Sequence, residues 1–137
     1  MYKRRTMTRF LIVAAGGALG AVARYGVGVW GQRLFPAAQW PWATLTVNVA
    51  GGLLMGLLAG WLALRGGAHG ESLRLFAAVG VLGGFTTFSA FSLETALMIE
   101  RRQLAMAGGY VAASVALSVL ALFIGLMVAR RAFGAAS

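Results

Sequence analysis

A few polar side chains interrupt otherwise apolar stretches of this sequence, and they are the residues that could carry chemistry. Asn48 is the one strongly polar side chain well inside its stretch, and Tyr110 and Ser114 lie four residues apart in another. If that second stretch is a helix, both hydroxyls face the same direction, and Ser118 continues the line by one more turn. A polar stripe of this kind is typical of a pore wall. The alternatives are an interhelical hydrogen bond for Asn48 and serine hydroxyls bonded to their own helix.

The densest feature is the run from Gly83 to Ser92, which reads Gly-Gly-Phe-Thr-Thr-Phe-Ser-Ala-Phe-Ser. Glycine and threonine are poor helix formers, so we expect a helix that is broken between residues 83 and 88. A break at membrane depth frees backbone carbonyls, which is tolerated where they line a cavity or bind a ligand, and such carbonyls suit a hard cation. A merely kinked helix is the alternative.

Two aromatic side chains and one arginine could handle an anion. Phe88 and Phe91 lie three residues apart on one helix face. Packing is the commoner role of such a pair, but a phenyl ring has a positive edge that an anion can contact. Arg24 lies near the end of the first apolar stretch, where it either snorkels to the interface or attracts anions into a vestibule.

The elements that must position these residues follow from composition. Of the 137 residues 60% are hydrophobic and 11% are charged, against roughly a quarter charged in a soluble domain. A membrane-spanning helix needs about 20 apolar residues. We therefore predict a single all-α integral membrane domain over 1–137. Its four transmembrane helices cover approximately 10–30, 42–64, 73–98 and 104–129, and the third is broken at 83–88.

The basic residues lie at the ends of these spans, where lipid headgroups are found. A net charge of +9 would otherwise favour nucleic-acid binding, which this placement argues against. Eight basic residues share a side with both termini, which predicts cytoplasmic termini: Lys3, Arg4, Arg5, Arg9, Arg65, Arg74, Arg130 and Arg131. The other side carries Arg33, Arg101 and Arg102. Without the N-terminal four the counts are four and three, so the bias depends on a short tail.

Glycine spacing predicts how the helices pack. Gly52, Gly56 and Gly60 recur at every fourth residue, and Gly16 and Gly20 do the same in the first span. Small residues at this spacing let helix backbones approach closely in lipid.

Signatures of catalysis are missing from the sequence. There is no His-Glu-x-x-His motif, there is no cysteine, and three acidic residues give no paired-carboxylate site. We therefore predict that the protein is not an enzyme.

The sequence resembles the CrcB/Fluc family of fluoride channels in three segments that occur in the family's order. The segments are Gly16-Gly17-x-x-Gly20-Ala21-x-x-Arg24-Tyr25, Thr44-Leu45-x-Val47-Asn48-x-x-Gly51 and Gly83-Gly84-Phe85-Thr86-Thr87-Phe88-Ser89. The fourth span matches through Tyr110 and Ser114.

This resemblance implies a fluoride-selective channel that passively exports cytoplasmic fluoride across the cell inner membrane. It implies an antiparallel, dual-topology homodimer in the lipid bilayer, with no nucleic-acid partner. The fluoride pathway would be lined by Asn48, Phe88, Phe91, Tyr110 and Ser114, with Arg24 in a vestibule. The backbone carbonyls of Gly83 and Thr86, from each subunit, would hold a central structural Na⁺.

The sequence departs from the family pattern at three positions. Ala43 stands where the family usually has glycine, Gly52 where a small hydroxyl residue is frequent, and Ala90 where threonine is common.

The alternative to a fluoride channel is a small proton-coupled multidrug-type exporter, which needs a carboxylate in its first span. A structural membrane protein would explain the glycines but not the Thr-Thr-Phe-Ser break.

Overall fold

The computed structural model describes residues 1–134, and these residues form four long apolar helical spans. Helix α1 covers Tyr2–Leu34 and α2 covers Trp42–Arg65. The third span, Gly67–Glu100, is composite, and α6 covers Leu104–Gly134. Each span is long and apolar enough to cross a membrane, which confirms the predicted all-α architecture.

The third span is divided into several helical pieces. In order along the chain these are a 3₁₀ turn (Gly67–His69), α3 (Gly70–Leu73), a π-helical segment (Arg74–Leu82), α4 (Gly83–Phe85) and α5 (Phe88–Glu100). The π-helical segment shows in the hydrogen bond from the Gly83 N–H to the Ala78 carbonyl, five residues back. The sequence carries no pattern that predicts this wider winding.

The break itself lies later, and is shorter, than the predicted range of 83–88. Gly83 is helical, with φ −63° and ψ −38°, whereas Thr86 and Thr87 are extended, with ψ of 156° and 121°. Gly83 and Gly84 are both helical, and Gly84 packs against α1. A Cβ on Gly84 would lie 2.5 Å from the Gly17 carbonyl oxygen of α1. Thr87 then begins α5 as its N-cap, since its side chain accepts a hydrogen bond from the Ala90 N–H.

Helices α2 and α6 pack closely along the predicted glycine face. A Cβ at Gly52 would lie 2.6 Å from the Ser118 carbonyl oxygen, and one at Gly56 would clash with the Leu122 carbonyl. Gly125 of α6 faces the α2 backbone in the same way, at the Leu53 carbonyl. The interpretation of the glycine repeat as a packing face is therefore confirmed.

Helix α1 packs against the first half of the third span through a second glycine contact. Side chains at Gly16 and Gly20 would clash with the carbonyl groups of Phe76 and Val81. The break itself is held from two sides, because Gly51 of α2 lies against the Thr86 side chain and Gly84 lies against Gly17 of α1.

Helix α1 begins eight residues before its predicted span, at Tyr2. Its 33 residues extend about 50 Å at 1.5 Å each, against about 30 Å of bilayer hydrocarbon. The hydroxyls of Thr6 and Thr8 donate to carbonyls four residues earlier, so the basic tail continues the helix. Arg9 forms an ion pair with Glu71 at 3.5 Å, which ties the tail to the start of the third span.

Candidate functional site

Asn48 holds the two extended residues in place. Its Nδ2 donates to the Thr87 carbonyl at 3.0 Å, and its Oδ1 accepts from the Thr87 N–H at 2.8 Å. A side-chain amide has two N–H donors, and this contact uses one of them. The interhelical hydrogen bond considered for Asn48 is therefore present, and one N–H remains for another acceptor.

Two hydrogen bonds at the break, one to Asn48 and one to Thr87, release backbone carbonyls from the helix. In a continuous helix the Thr87 N–H would donate to the Gly83 carbonyl, but it donates to Asn48 instead. The Ala90 N–H would donate to the Thr86 carbonyl, but it donates to the Thr87 hydroxyl at 3.1 Å. Gly83 and Thr86, the two predicted carbonyl ligands, are thus the residues whose usual helical donors are diverted.

A groove of about 420 Å³ runs beside the break, between α2, α5 and α6. Phe88 and Phe91 line it with ring centroids 5.5 Å apart, and the Phe88 side chain is 78% exposed. Ser114 and Ser118 also line it, and within residues 1–134 neither buried hydroxyl has a hydrogen-bond partner. An apolar groove with unused hydroxyl donors could accommodate a small anion.

Four of the five predicted pathway residues meet at this groove: Asn48, Phe88, Phe91 and Ser114. Ser118, which extends the predicted stripe by one turn, also lines the groove. Thr86 lines it as well, while Gly83 lies just beyond it on an exposed surface of the single chain.

Tyr110, the fifth predicted pathway residue, lies behind the groove. Its side chain is completely buried, and its hydroxyl donates to Glu94 Oε2 at 2.6 Å. Thr44 donates to the other oxygen, Glu94 Oε1, at 2.7 Å. Of the predicted hydroxyl stripe, Ser114 and Ser118 line the groove, whereas the Tyr110 hydroxyl is used by Glu94.

Thr44 and Glu94 were not among the predicted site residues. The signal that could have found Glu94 is its position: it is an acidic residue near the middle of α5, where an unpaired charge is costly. Spacing along the chain could not show that Thr44 and Tyr110 surround it, because they come from two other helices.

A second, larger cavity of about 690 Å³ lies on the other side of the break. Arg24, Glu94, Trp40 and Trp42 are among its lining residues, and Thr87 lines both this cavity and the groove. Arg24 does not snorkel outward, since its Nε donates to the Gly84 carbonyl at 3.1 Å. Its guanidinium therefore places positive charge close to the break, and the vestibule role of Arg24 stays a prediction.

The three departures from the family pattern lie around these cavities. Ala43 and Ala90 line the larger cavity, and Ala43 packs against Gly31 of α1. Gly52 lines the groove and lies against the α6 backbone at the Ser118 carbonyl, so a hydroxyl residue there would force α2 and α6 apart. The geometry therefore explains why this chain carries glycine at position 52.

Comparison with known proteins places the chain in a family. The sequence profile described as "CrcB-like protein, Camphor Resistance (CrcB)" matches residues 11–126. The chain belongs to the CrcB family. The matched region contains every predicted site residue of this CrcB chain, and it begins after the basic residues of the N-terminal tail.

Curated relatives in the CrcB family carry the name "Fluoride-specific ion channel FluC". One from Caulobacter sp. (strain K31) is 66% identical over 127 residues, which is 93% of this chain and 98% of the relative. Another from Caulobacter vibrioides (strain NA1000 / CB15N) is 59% identical, and one from Hyphomonas neptunium is 58% identical. Each covers 93% of this chain and 99% of the relative. The relatives are ion channels by name, so the prediction that this protein is not an enzyme is confirmed.

Proposed function

We propose that this protein is a fluoride-selective channel of the cell inner membrane that lets cytoplasmic fluoride leave passively. The observation that carries the proposal is the groove beside the broken third span. Its unused Ser114 and Ser118 hydroxyls, the spare N–H of Asn48 and two phenyl rings are all uncharged. The names of the relatives support fluoride as the ion.

The donor set suits fluoride because that ion is small and strongly hydrated. A dry path must replace its water with hydrogen-bond donors, and hydroxyl and amide groups do so without a fixed charge that would trap the ion. The positive ring edges of Phe88 and Phe91 add weaker contacts. Arg24, half-buried in the larger cavity, would raise the local anion concentration at the entrance.

The released carbonyls support a central sodium site. Carbonyl oxygens are ligands that hard cations prefer, so Gly83 and Thr86 fit a Na⁺ ion by their chemistry. Within residues 1–134 no group of three His, Cys, Asp or Glu side chains could hold a metal, so the backbone would supply the ligands. A bound Na⁺ would supply fixed positive charge beside the groove, which lowers the cost of removing water from an anion.

Gly83 and Thr86 of one chain supply two carbonyls, and this supports a two-fold homodimer. Its antiparallel orientation is what the resemblance to the CrcB/Fluc family implies. A second copy related by a two-fold axis would double the ligand set and contribute an identical groove. Gly83 is exposed in the single chain, so its carbonyl is available to a partner. The partner proposed for this surface is a second copy of the same chain in opposite orientation.

Passive efflux would be sufficient to keep cytoplasmic fluoride low. Hydrofluoric acid is weak, so it enters cells as a neutral molecule and dissociates inside. An anion moving down the membrane potential gains about 2.3 kcal/mol per 100 mV. No coupled proton is needed for export. A proton-coupled exporter of the kind considered above requires a carboxylate in the first span, and α1 contains none.

Purified protein in liposomes tests this proposal. Vesicles loaded with potassium fluoride should release fluoride rapidly once a potassium ionophore lets K⁺ leave as well, because no opposing membrane potential then builds up. A proton gradient should not be needed. Release that depends on a proton gradient would favour the exporter instead.

A further inference from the structure

Four aromatic rings form a continuous chain from the larger cavity to the groove. Trp40 contacts Tyr110 edge-on at 5.8 Å between ring centroids and 88° between planes. Tyr110 contacts Phe91 at 5.2 Å, and Phe91 contacts Phe88 at 5.5 Å. Trp40 lines the larger cavity, and the two phenylalanines line the groove.

Trp40 lies at the end of this row of four rings that faces the larger cavity. It lies in the connection between α1 and α2, where its carbonyl accepts the Trp42 N–H at 2.9 Å. Its side chain packs on a buried cluster that includes Leu45, Met98 and Tyr110. It is half-buried, in contrast to Trp30, which is 62% exposed on α1. An anchor at the membrane interface needs no such inward contact, so Trp40 does more than mark that interface.

We propose that Trp40 is a positioning residue for the ion pathway, holding the Tyr110 ring that in turn supports Phe91. The inference rests on the proposed channel function. Tyr110 is completely buried, with Trp40 on the side of the larger cavity and Phe91 on the side of the groove. Its hydroxyl is fixed by Glu94, so the ring contacts set how the rest of the side chain is oriented.

Removal of the indole would act on both the rings and the carboxylate. The larger cavity would extend toward Tyr110 and bring water to the Tyr110–Glu94 hydrogen bond. A buried hydrogen bond to a carboxylate weakens when water competes for it. The Phe91 ring would lose the support behind it, and the groove would no longer present its ring edges in one arrangement. Selectivity would then fall together with rate.

The experiment compares Trp40→Leu with Trp40→Phe, and uses Trp30→Leu as the matched control. Trp40→Leu should slow fluoride efflux from liposomes by about tenfold and raise the chloride-to-fluoride ratio. Trp40→Phe keeps an aromatic ring against Tyr110 and should restore most of the rate and ratio. Trp30→Leu should match the wild type, because its ring is exposed on α1.

A measurement that does not depend on conduction is the NMR resonance of the Tyr110 ring itself. Carbon-13 labelling at the ring carbon that bears the hydroxyl gives three resonances, from Tyr2, Tyr25 and Tyr110, and Tyr110→Phe assigns the last. The Tyr110 resonance should move in Trp40→Leu and stay near its wild-type position in Trp40→Phe and Trp30→Leu.

Three results would overturn the inference. Equal rates and ratios in Trp40→Leu and wild type would overturn it and leave the channel proposal standing. An unmoved Tyr110 resonance in Trp40→Leu would do the same. A wild-type protein that releases no fluoride would overturn the channel proposal and this inference together.

Discussion

Single residues in this protein do two things at once, and Asn48 is the clearest case. From sequence it was a candidate pathway donor or an interhelical hydrogen bond, and the structure gives it the second role while leaving an N–H for the first. Sequence could identify the residue because a lone amide in an apolar span is costly. It could not identify the partner, since Thr87 lies 39 residues away.

Substitution of Asn48 should therefore reduce both conduction and stability. Asn48→Ala leaves the buried Thr87 N–H without an acceptor, which costs about 1–3 kcal/mol. We expect a lower melting temperature in detergent as well as suppressed fluoride efflux. Conduction lost with unchanged thermal stability would show that the contacts with Thr87 contribute little.

Phe88 should separate conduction from stability, because its ring is 78% exposed in the single chain. Phe88→Ala should suppress fluoride efflux and leave the melting temperature of the detergent-solubilised protein within a few degrees of wild type. Phe123→Ala is the matched control, since Phe123 is 59% exposed on α6 and does not line the groove. Similar efflux in both variants would remove Phe88 from the pathway.

At the scale of elements, the helices and their glycine faces were predictable and the details of the third span were not. Apolar length fixes the spans, and the four-residue glycine spacing fixes the α2–α6 contact. In the third span, the residue types of Gly83 and Gly84 predict a break, yet both residues are helical and Gly84 packs against α1. Composition alone cannot distinguish a glycine that ends a helix from one that packs it.

Glycine substitutions test the α2–α6 contact directly. Gly56→Ala should destabilise the protein by several kcal/mol, because its methyl group would meet the Leu122 carbonyl. Gly108→Ala is the matched control in α6, where the added methyl group meets no atom within 4 Å, and should be neutral or stabilising by up to about 1 kcal/mol. Thermal unfolding in detergent measures both. Equal melting temperatures would contradict a tight glycine interface.

For the whole molecule, the charge distribution favours one orientation in the membrane, whereas the proposed dimer requires both. Eight basic residues share the end that holds both termini and three lie at the other end, which predicts cytoplasmic termini. An antiparallel homodimer requires both orientations in equal number. The helical tail supplies half of those eight charges, and it lies before the region shared with the family.

Labelling from one side of the membrane shows whether the chain inserts in one orientation or in both. The sequence contains no cysteine, so Ala68→Cys and Ala38→Cys can report separately on the two ends of the molecule. Both positions are exposed, one in the Gly67–His69 turn and the other in the connection between α1 and α2. In intact cells an impermeant maleimide should label about half of each variant if the dimer is antiparallel. Full labelling at position 38 with none at 68 would mean a single orientation.

The most direct test of the central claim is ion release from one batch of liposomes that contain fluoride and chloride together. With a potassium ionophore present, ion-selective electrodes should record rapid fluoride release while chloride stays largely inside. Phe88→Ala liposomes made in parallel should retain both ions. Comparable release of the two anions by the wild type, or no release of fluoride, would contradict the account.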